Sequence, residues 1–348
     1  MVAFNNLSYT ISVSQKQKNG MKKKRLLKNI SGYAKPGQST ALMGPTGAGK
    51  STLMDVISFR KTQGKTSGVI LVNGNQITKR NKSTFLRVTG YVEQNDNHSP
   101  CSSVYEAIRF SAYLRQDEKI SQEDKEAHIE SILTMLQLQD IREKRIGEPG
   151  VGSGVSKHEA KRVTIGVELA SNPSVLFLDE PTSGLDSQAA YIVMKAVDQV
   201  AKSGRTVICT IHQPSAEIFS FFNKLILLKR GGQLVFFGPA DKARDYFINI
   251  HPTPHLLAAD YNTADLVLDA VTLAQDQEDS TNELNDLDIS SLEIGNGSRN
   301  RNLETLFKET DQWKTFISEI EEFAAHPSEL IDVDKKHEKP SFITRSRK

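Results

Sequence analysis

The sequence predicts an α/β fold: a parallel sheet core, a helical subdomain inserted into it and a small N-terminal antiparallel β subdomain. Three observations support this prediction. A glycine-rich loop separates a strand-like segment, 39–43, from a helix-like segment, 52–57. A second apolar strand, 175–178, follows only much later in the chain. Between the two, residues 103–115 and 121–139 carry apolar side chains at three- and four-residue spacing, which is typical of helices.

The glycine-rich loop has the pattern of a phosphate-binding loop. Its residues fit GxxxxGK[ST] and are Gly44, Pro45, Thr46, Gly47, Ala48, Gly49, Lys50 and Ser51, with Thr52 continuing the helix. Glycines let backbone N–H groups surround phosphates, and the helix N-terminus adds a favourable dipole. Lys50 supplies a positive charge and the Ser51 hydroxyl is a Mg²⁺ ligand. A plain glycine turn is the alternative, but the full match between a strand and a helix predicts nucleotide binding.

Two carboxylates end the second strand. The apolar run 175–178 leads directly into Asp179 and Glu180. Such a run indicates a buried parallel strand, and ligands bind at the carboxyl edge of open α/β sheets. An acidic pair could merely start a loop. Behind a phosphate-binding loop, however, Asp179 is expected to be the metal-side acid and Glu180 to polarise a water for attack on the γ-phosphate.

The segment between Lys50 and Asp179 is too long for a minimal nucleotide-binding core, so we expect an inserted helical subdomain over about 101–165. A strand-like stretch, 90–94, leads into it and ends at Gln94. We expect the Gln94 amide to sense Mg²⁺ and to relay its presence to the insert.

Five motifs in order make the chain recognisable. The stretches GPTGAGKS, GYVEQ, VSKHEAKRVTIGVEL, VLFLDEPTSGLDS and TVICTIHQPS resemble an ATP-binding cassette (ABC) domain. LSYTI, SGYAKPG, LVNG, TGYVEQ and CTIHQPSAEIF resemble the G-type transporters, above all the second nucleotide-binding domain of pleiotropic-drug-resistance transporters. The resemblance covers roughly residues 4–270 and implies ATP and Mg²⁺ as cofactors.

The resemblance also implies roles for single residues. Tyr9 aligns with the aromatic residue that stacks on adenine, although a half-buried strand tyrosine is the alternative. Gln94 aligns with the glutamine that contacts both Mg²⁺ and the membrane domain. Asp186 aligns with the loop that crosses the dimer interface. His212 aligns with the histidine that contacts the γ-phosphate; with Glu180 and Lys50 it completes the expected catalytic set.

Metal binding is assigned in the same way. The resemblance and the loop pattern together imply three Mg²⁺ ligands: Ser51, Gln94 and Asp179.

The family's signature, normally LSGGQ, is altered here. In that family two domains join head to tail, and the signature of one completes the ATP site of the other. Ser156 remains and is still able to hydrogen-bond a γ-phosphate in the partner's site. It forms an S-x-x-E capping box with Glu159, but Lys157 and His158 replace the two glycines. We expect their side chains to block close backbone approach and to strain a position with positive φ. The site that this signature completes in the partner should therefore hydrolyse ATP weakly or not at all. A rival hypothesis is that Lys157 supplies compensating positive charge.

Composition narrows the function class. The net charge of +2 argues against a nucleic-acid partner, and 38% hydrophobic and 25% charged residues are ordinary for a folded domain. Cys101 and Cys209 have no metal-type spacing, which suits a reducing cytosol. No apolar run reaches the length of a membrane-spanning helix. The chain is therefore expected to be soluble and to lie at the cytoplasmic face of a membrane, with the membrane domain outside these residues.

The predicted organisation along the chain has five parts. They are a nucleotide-binding domain over 1–255, a closing segment over 256–274, a polar flexible linker over 275–301, an amphipathic helix over 302–324 and a polar tail over 325–348 that leads toward a membrane domain. The helix has an apolar stripe that docks either on the membrane domain or on the chain's own core.

The predicted function is ATP binding and hydrolysis that powers drug or lipid efflux through a transmembrane domain. The expected partners are that domain and a second, unequal nucleotide-binding domain with an intact signature. Two alternatives stay open at this point. One is a regulatory nucleotide-binding module with little hydrolysis, favoured by the altered signature. The other is a soluble ABC ATPase outside transport, which near-neutral charge argues against.

Overall fold

The computed structural model describes residues 1–14, 21–148, 154–250, 262–286 and 302–327. Its strands are β1 (Val2–Ser14), β2 (Met21–Ala34), β3 (Ser39–Met43), β4 (Lys65–Val72), β5 (Asn75–Gln76), β6 (Thr89–Val92), β7 (Val175–Asp179), β8 (Thr206–Thr210), β9 (Lys224–Lys229) and β10 (Gln233–Pro239). Its helices are α1 (Lys50–Ile57), α2 (Lys82–Arg87), α3 (Val104–Arg115), α4 (Gln122–Met135), α5 (Lys157–Leu169), α6 (Ser187–Lys202), α7 (Ala216–Phe219), α8 (Ala243–Ile250), α9 (Thr263–Asp286), α10 (Leu303–Glu309) and α11 (Asp311–Ala325).

The central sheet has the strand order β10-β9-β3-β8-β7-β6. Strands β9, β3, β8, β7 and β6 pair in parallel, and only β10 pairs antiparallel, with β9. The strands β3, β7 and β8 are buried almost throughout, as the apolar sequences of a sheet covered on both faces require. Their carboxyl ends therefore meet at one edge, where the phosphate loop and the acidic pair lie.

The second sheet has the order β2-β1-β4-β5 and is antiparallel. It forms the small N-terminal β subdomain that the sequence predicts. The helices α3, α4 and α5 lie between β6 and β7 in the chain and form the predicted helical insert. A capping box at Ser103 starts α3, and Ser121 caps α4 through the backbone N–H of Asp124. The predicted fold class is confirmed.

The expected linker over 275–301 is partly helical. Helix α9 runs on to Asp286, while residues 287–301 lie outside the described part of the chain. The first turns of α9 are anchored by buried side chains such as Leu266, Val267 and Val271. Seven of the eleven residues over 276–286 are Asp, Ser, Thr or Asn, which have low helix propensity, so this part of α9 continues a helix that is nucleated by the packed turns before it. A polar composition alone was therefore a poor guide to a linker here.

The single amphipathic helix expected over 302–324 is two helices, α10 and α11. Thr310 separates them because its backbone is extended, with φ −74° and ψ 150°, and its hydroxyl accepts a hydrogen bond from the N–H of Trp313. Both helices pack on the chain's own core: Phe307, Phe316 and Ile320 are buried in the same cluster as the strands. The boundary at 255 and most of the tail over 325–348 lie outside the described residues.

Candidate nucleotide-binding site

The phosphate loop connects β3 to α1 and depends on glycine at two positions. Gly44 has φ +151°, and a Cβ there would lie 2.3 Å from the Leu228 carbonyl oxygen. Gly49 has φ +92° in the left-handed region and is the N-cap of α1. Both conformations are costly for other residues. The loop therefore turns tightly and aims the N-terminus of α1 at the open edge of the sheet.

Lys50 lies inside this loop. Its ammonium donates hydrogen bonds to the carbonyls of Gly44, at 2.8 Å, and Pro45, at 3.4 Å. Burial lowers the pKa of Lys50, whereas the nearby charges of Glu180 and Asp179 oppose that shift. The side chain is thus a partly desolvated cation held over the loop, where an anion would gain more from it than in water.

The strand β7 delivers Asp179 and Glu180 to the same edge. Asp179 Oδ1 lies 3.5 Å from the Ser51 hydroxyl oxygen. The second carboxylate oxygen of Asp179, Oδ2, lies 3.4 Å from the Tyr91 hydroxyl. The same hydroxyl lies 3.0 Å from Asp55 Oδ1. The Ser51 and Asp179 oxygens are hard donors of the kind that Mg²⁺ prefers.

The fit to Mg²⁺ rests on these two oxygens. Within the described residues no group of three or more His, Cys, Asp or Glu side chains is arranged to hold a metal ion. A hydroxyl and one carboxylate are too few for a resident metal but suit Mg²⁺ that is bound together with phosphates.

Gln94 contacts the second acid rather than the first. Its side-chain amide nitrogen is 3.1 Å from Glu180 Oε2 and 3.1 Å from the Ser183 hydroxyl. In this conformation Gln94, the expected Mg²⁺ ligand, is therefore a hydrogen-bond partner of Glu180, the expected base. Glu180 itself has φ +46°, a left-handed conformation that turns its side chain away from the strand direction.

His212 follows β8, is exposed, and makes no hydrogen bond to any described residue. The neighbouring Gln213 has φ +43°, so the chain turns sharply there. Asp186 is the N-cap of α6, and its Oδ1 accepts a hydrogen bond from the Ala189 N–H at 2.8 Å. The structure thus shows a helix-capping role for Asp186 and leaves the His212 ring free.

Tyr9 is buried, with 3% of its surface exposed, and donates a hydrogen bond to the Gln63 carbonyl at 2.5 Å. Its ring also lies against Gly64, where a Cβ would come within 2.7 Å of it. No ring face is therefore free to stack on a base in this conformation. A cleft of about 660 Å³ lies beside it and is lined by residues including Arg60, Tyr91 and Asp179.

The altered signature has the capping box that the sequence predicts. Ser156 Oγ accepts from the Glu159 N–H at 3.4 Å, and Glu159 Oε2 accepts from the Ser156 N–H at 2.6 Å. The prediction of backbone strain at Lys157 and His158 was wrong. Neither has positive φ, because α5 begins at Lys157 and both residues are helical. What the substitutions change is the side chains at the helix start.

Sequence reasoning missed Thr210. Its hydroxyl donates to Asp179 Oδ1 at 2.7 Å and accepts from the Glu180 N–H at 2.8 Å. The only available signal was a threonine within an apolar strand, two residues before His212. The sequence indicates only a strand position for Tyr91, whereas in the structure its hydroxyl lies between Asp55 and Asp179.

A second, larger cavity of about 760 Å³ lies on the helical insert, away from the phosphate loop. It is lined by α3 and the segment after β6, and includes Phe110 and Leu114. These two side chains are 70% and 71% exposed, and as residues i and i+4 of α3 they lie on the same face of the helix. Among the helices that are described, none has the length and apolar character needed to span a bilayer.

Family models and curated proteins match most of this chain. A family model described as ABC transporter matches residues 27–183, and one described as ABC-2 type transporter matches residues 212–289. ABC transporter G family member 42 of Arabidopsis thaliana is 45% identical over 292 residues, which are 80% of this chain and 20% of that protein. ABC transporter G family member 44 of Oryza sativa subsp. japonica is 44% identical, over 79% of this chain and 19% of that protein. The chain spans about a fifth of the length of these curated relatives.

Solved structures share the fold. A dimeric structure of a bacterial ABC transporter cassette has a TM-score of 0.55 at 22% identity, covering 69% of this chain and 99% of that one. A protein from Clostridium perfringens, part of the ABC transporter complex cbiONQ, has a TM-score of 0.56 at 22% identity, covering 71% of this chain and 96% of that one. At this identity the likeness concerns the fold alone.

Proposed function

The chain carries an ABC transporter ATP-binding domain of the G-family type, and on that premise we propose that it hydrolyses Mg·ATP to power transport across a membrane. The observation that carries the proposal is the meeting of Ser51, Asp179 and Glu180 at the open end of the phosphate loop. Drug or lipid efflux is the finer proposal for the transported cargo.

The triphosphate would be held by the loop itself. Backbone N–H groups among residues 46–51, in the loop and at the start of α1, would face the phosphates, and Lys50 would exchange its carbonyl partners for phosphate oxygens. Ser51 and Asp179 would hold Mg²⁺, with Gln94 as a further ligand after it leaves Glu180. Bound Mg²⁺ would neutralise charge on the phosphates during transfer.

Glu180 is the proposed base. One of its carboxylate oxygens accepts from Gln94, and the other makes no hydrogen bond to any described residue. That second oxygen can accept a proton from a water placed in line with the γ-phosphate. The exposed ring of His212, at the end of the neighbouring strand, would contact the γ-phosphate. Phosphoryl transfer needs positioning and charge neutralisation more than covalent chemistry, and these groups would be this chain's contribution to both.

Two protein partners follow from this function. A second nucleotide-binding domain would supply an intact signature to this chain's ATP, in a head-to-tail pair of unequal halves. Asp186 would lie at that interface. A transmembrane domain would dock on the helical insert, where the exposed Phe110 and Leu114 support an apolar contact. The chain would then act at the cytoplasmic face of the membrane.

A second candidate function is a regulatory module that binds ATP with little hydrolysis. The observation in its favour is the Ser156 hydroxyl, which is already engaged by Glu159 and by His158. This feature affects the site completed in the partner, not the site built on Lys50 and Asp179. We therefore propose hydrolysis at the chain's own site.

The test is the variant Glu180→Gln, assayed for ATP binding and for phosphate release. The proposal predicts that nucleotide affinity stays near the wild-type value, because the loop is intact, while turnover falls by about a hundredfold or more. Wild-type phosphate release by this variant would remove Glu180 from the role of base. A wild-type chain that binds Mg·ATP without turning it over, even with an intact partner domain, would favour the regulatory module.

A further inference from the structure

We propose that Thr210 is a positioning residue for ATP hydrolysis: its hydroxyl aligns the metal-side carboxylate of Asp179 and the backbone of Glu180 at the same time. This inference rests on the proposed function. It assigns a role to a residue that lies outside the phosphate loop and whose hydroxyl contacts Asp179 and Glu180.

The register of the central sheet sets the position of Thr210. In the parallel pair β7 and β8, Asp179 is the partner of Thr210. Asp179 is the last residue of β7, so the β7–β8 ladder ends there. Beyond Thr210 the chain still pairs with β3, since the Ile211 N–H donates to the Leu42 carbonyl at 3.2 Å. The Thr210 side chain provides the acceptor for the next N–H, that of Glu180, at 2.8 Å.

The Thr210 hydroxyl also has an acceptor for its own proton. While it accepts from Glu180, Thr210 Oγ1 donates its own proton to Asp179 Oδ1 at 2.7 Å. That same carboxylate oxygen is the one 3.5 Å from the Ser51 hydroxyl. One hydroxyl therefore fixes the rotamer of the acid that would hold Mg²⁺ and the left-handed backbone turn of the residue that would activate water.

Both hydrogen bonds of the Thr210 hydroxyl lie in the core of the domain. Thr210 is fully buried, so water does not compete for either hydrogen bond. Without this hydroxyl the Glu180 N–H would lose its partner at a conformation that is already unfavourable for a glutamate. Outer groups that orient metal-binding side chains commonly change metal affinity or activity by about 10- to 100-fold when removed.

The structure offers a matched control on the adjacent strand. Thr40 on β3 is also fully buried, but its hydroxyl makes no hydrogen bond to any described residue. Thr210→Val and Thr40→Val thus make the same chemical change in the same sheet, one with and one without the contacts at issue. Thr210→Ser keeps the hydroxyl and removes only a methyl group.

The experiment compares these three variants with the wild-type chain in two assays. One assay measures kcat and KM for Mg·ATP, with each chain mixed with a second nucleotide-binding domain that has an intact signature. The other measures equilibrium affinity for a fluorescent ATP analogue with Mg²⁺ and with EDTA, which reports on Asp179 without requiring turnover. Thermal unfolding of each variant, without nucleotide, shows which variants fold.

For Thr210→Val we expect kcat to fall by about tenfold or more with KM nearly unchanged, and the gain in affinity from Mg²⁺ to shrink by about threefold or more. Thr210→Ser should retain most of the wild-type kcat and most of the gain in affinity from Mg²⁺. Thr40→Val should match the wild type in both quantities. A Thr210→Val variant with wild-type kcat and a wild-type response to Mg²⁺ would overturn the proposal. So would equal losses in Thr210→Val and Thr40→Val, since those would reflect packing alone. If the wild-type chain showed no Mg²⁺-dependent binding or turnover, the proposed function would fail instead.

Discussion

The Ser156 hydroxyl oxygen lies 3.2 Å from Nδ1 of His158, two residues further along the same turn. The same hydroxyl accepts a hydrogen bond from the Glu159 N–H. If the Ser156 proton is donated to the imidazole, the hydroxyl has none left to offer to a partner's γ-phosphate. We therefore predict that His158 weakens the signature by engaging its serine, in addition to adding bulk at the helix start.

Replacing Lys157 and His158 with glycine should raise phosphate release at the site that this signature completes. The change frees the Ser156 hydroxyl and lets the backbone approach phosphate more closely. Two glycines in the first turn of α5 also cost roughly 1 kcal/mol each in helix stability, so unfolding must be measured in parallel. The readout is phosphate release by the double variant, alone and mixed with the wild-type chain.

The single variant Lys157→Ala separates this explanation from its rival. Lys157 is exposed, and its removal should leave turnover near the wild-type value if His158 is the obstacle. A fall in turnover in either variant would instead favour compensating charge from Lys157.

The site was largely predictable from sequence because its parts are local. The phosphate loop, the pair Asp179 and Glu180, and the capping box at Ser156 each depend on neighbours within a few residues. Thr210 was not predictable, since its role depends on being opposite Asp179 in a parallel pair, 31 residues away in the chain. Strand register of this kind is set by tertiary packing and leaves no short motif.

The errors have similar physical causes. Strain was expected at Lys157 and His158 because glycines were expected there, but the structure starts a helix at that point and no special φ is needed. Threonine is a good N-cap, so Thr310 indicates that a new helix starts there. The continuous apolar stripe over 302–324 nevertheless predicts a single helix. A stripe predicts which face is buried and cannot exclude a change of helix axis.

The variant Glu180→Gln, alone in solution, should remain a monomer with Mg·ATP. Blocking hydrolysis would trap a closed pair, but both copies would offer the engaged Ser156 to the other's ATP. Analytical ultracentrifugation with and without Mg·ATP measures this directly. The same variant carrying glycines at 157 and 158 is the matched comparison and should shift toward a dimer. An ATP-dependent dimer of Glu180→Gln itself would contradict the prediction and support a symmetric pair.

Helix α11 should contribute to the stability of the whole domain. Phe316 is buried, with its ring centroid 4.3 Å from that of Phe237 and 5.3 Å from that of Trp313. Phe316→Ala should lower the free energy of unfolding by about 3 kcal/mol, measured by urea titration, because it leaves a cavity between α11 and β10. The control Phe110→Ala, at a 70% exposed position, should change it by less than about 0.5 kcal/mol. Equal effects in the two variants would mean that α11 is not packed as described.

Acid should destabilise the domain partly through His128 on α4. Its Nε2 lies 3.1 Å from the Leu169 carbonyl oxygen. Burial lowers the pKa of the imidazole, the hydrogen bond to that carbonyl opposes the shift, and the Arg205 charge adds a smaller lowering of the pKa. The unfolded chain, where the histidine pKa is about 6.5, then binds a proton more readily than the folded one. Stability that is fully present above that pH is lost as the pH falls below it toward the folded pKa. His128→Gln removes the titrating ring, and its amide can still donate to the carbonyl. Urea unfolding at pH 7 and at about pH 5.5 should therefore show a smaller acid-induced loss in this variant than in the wild-type chain. An unchanged loss would mean that His128 takes up its proton as easily in the fold as outside it.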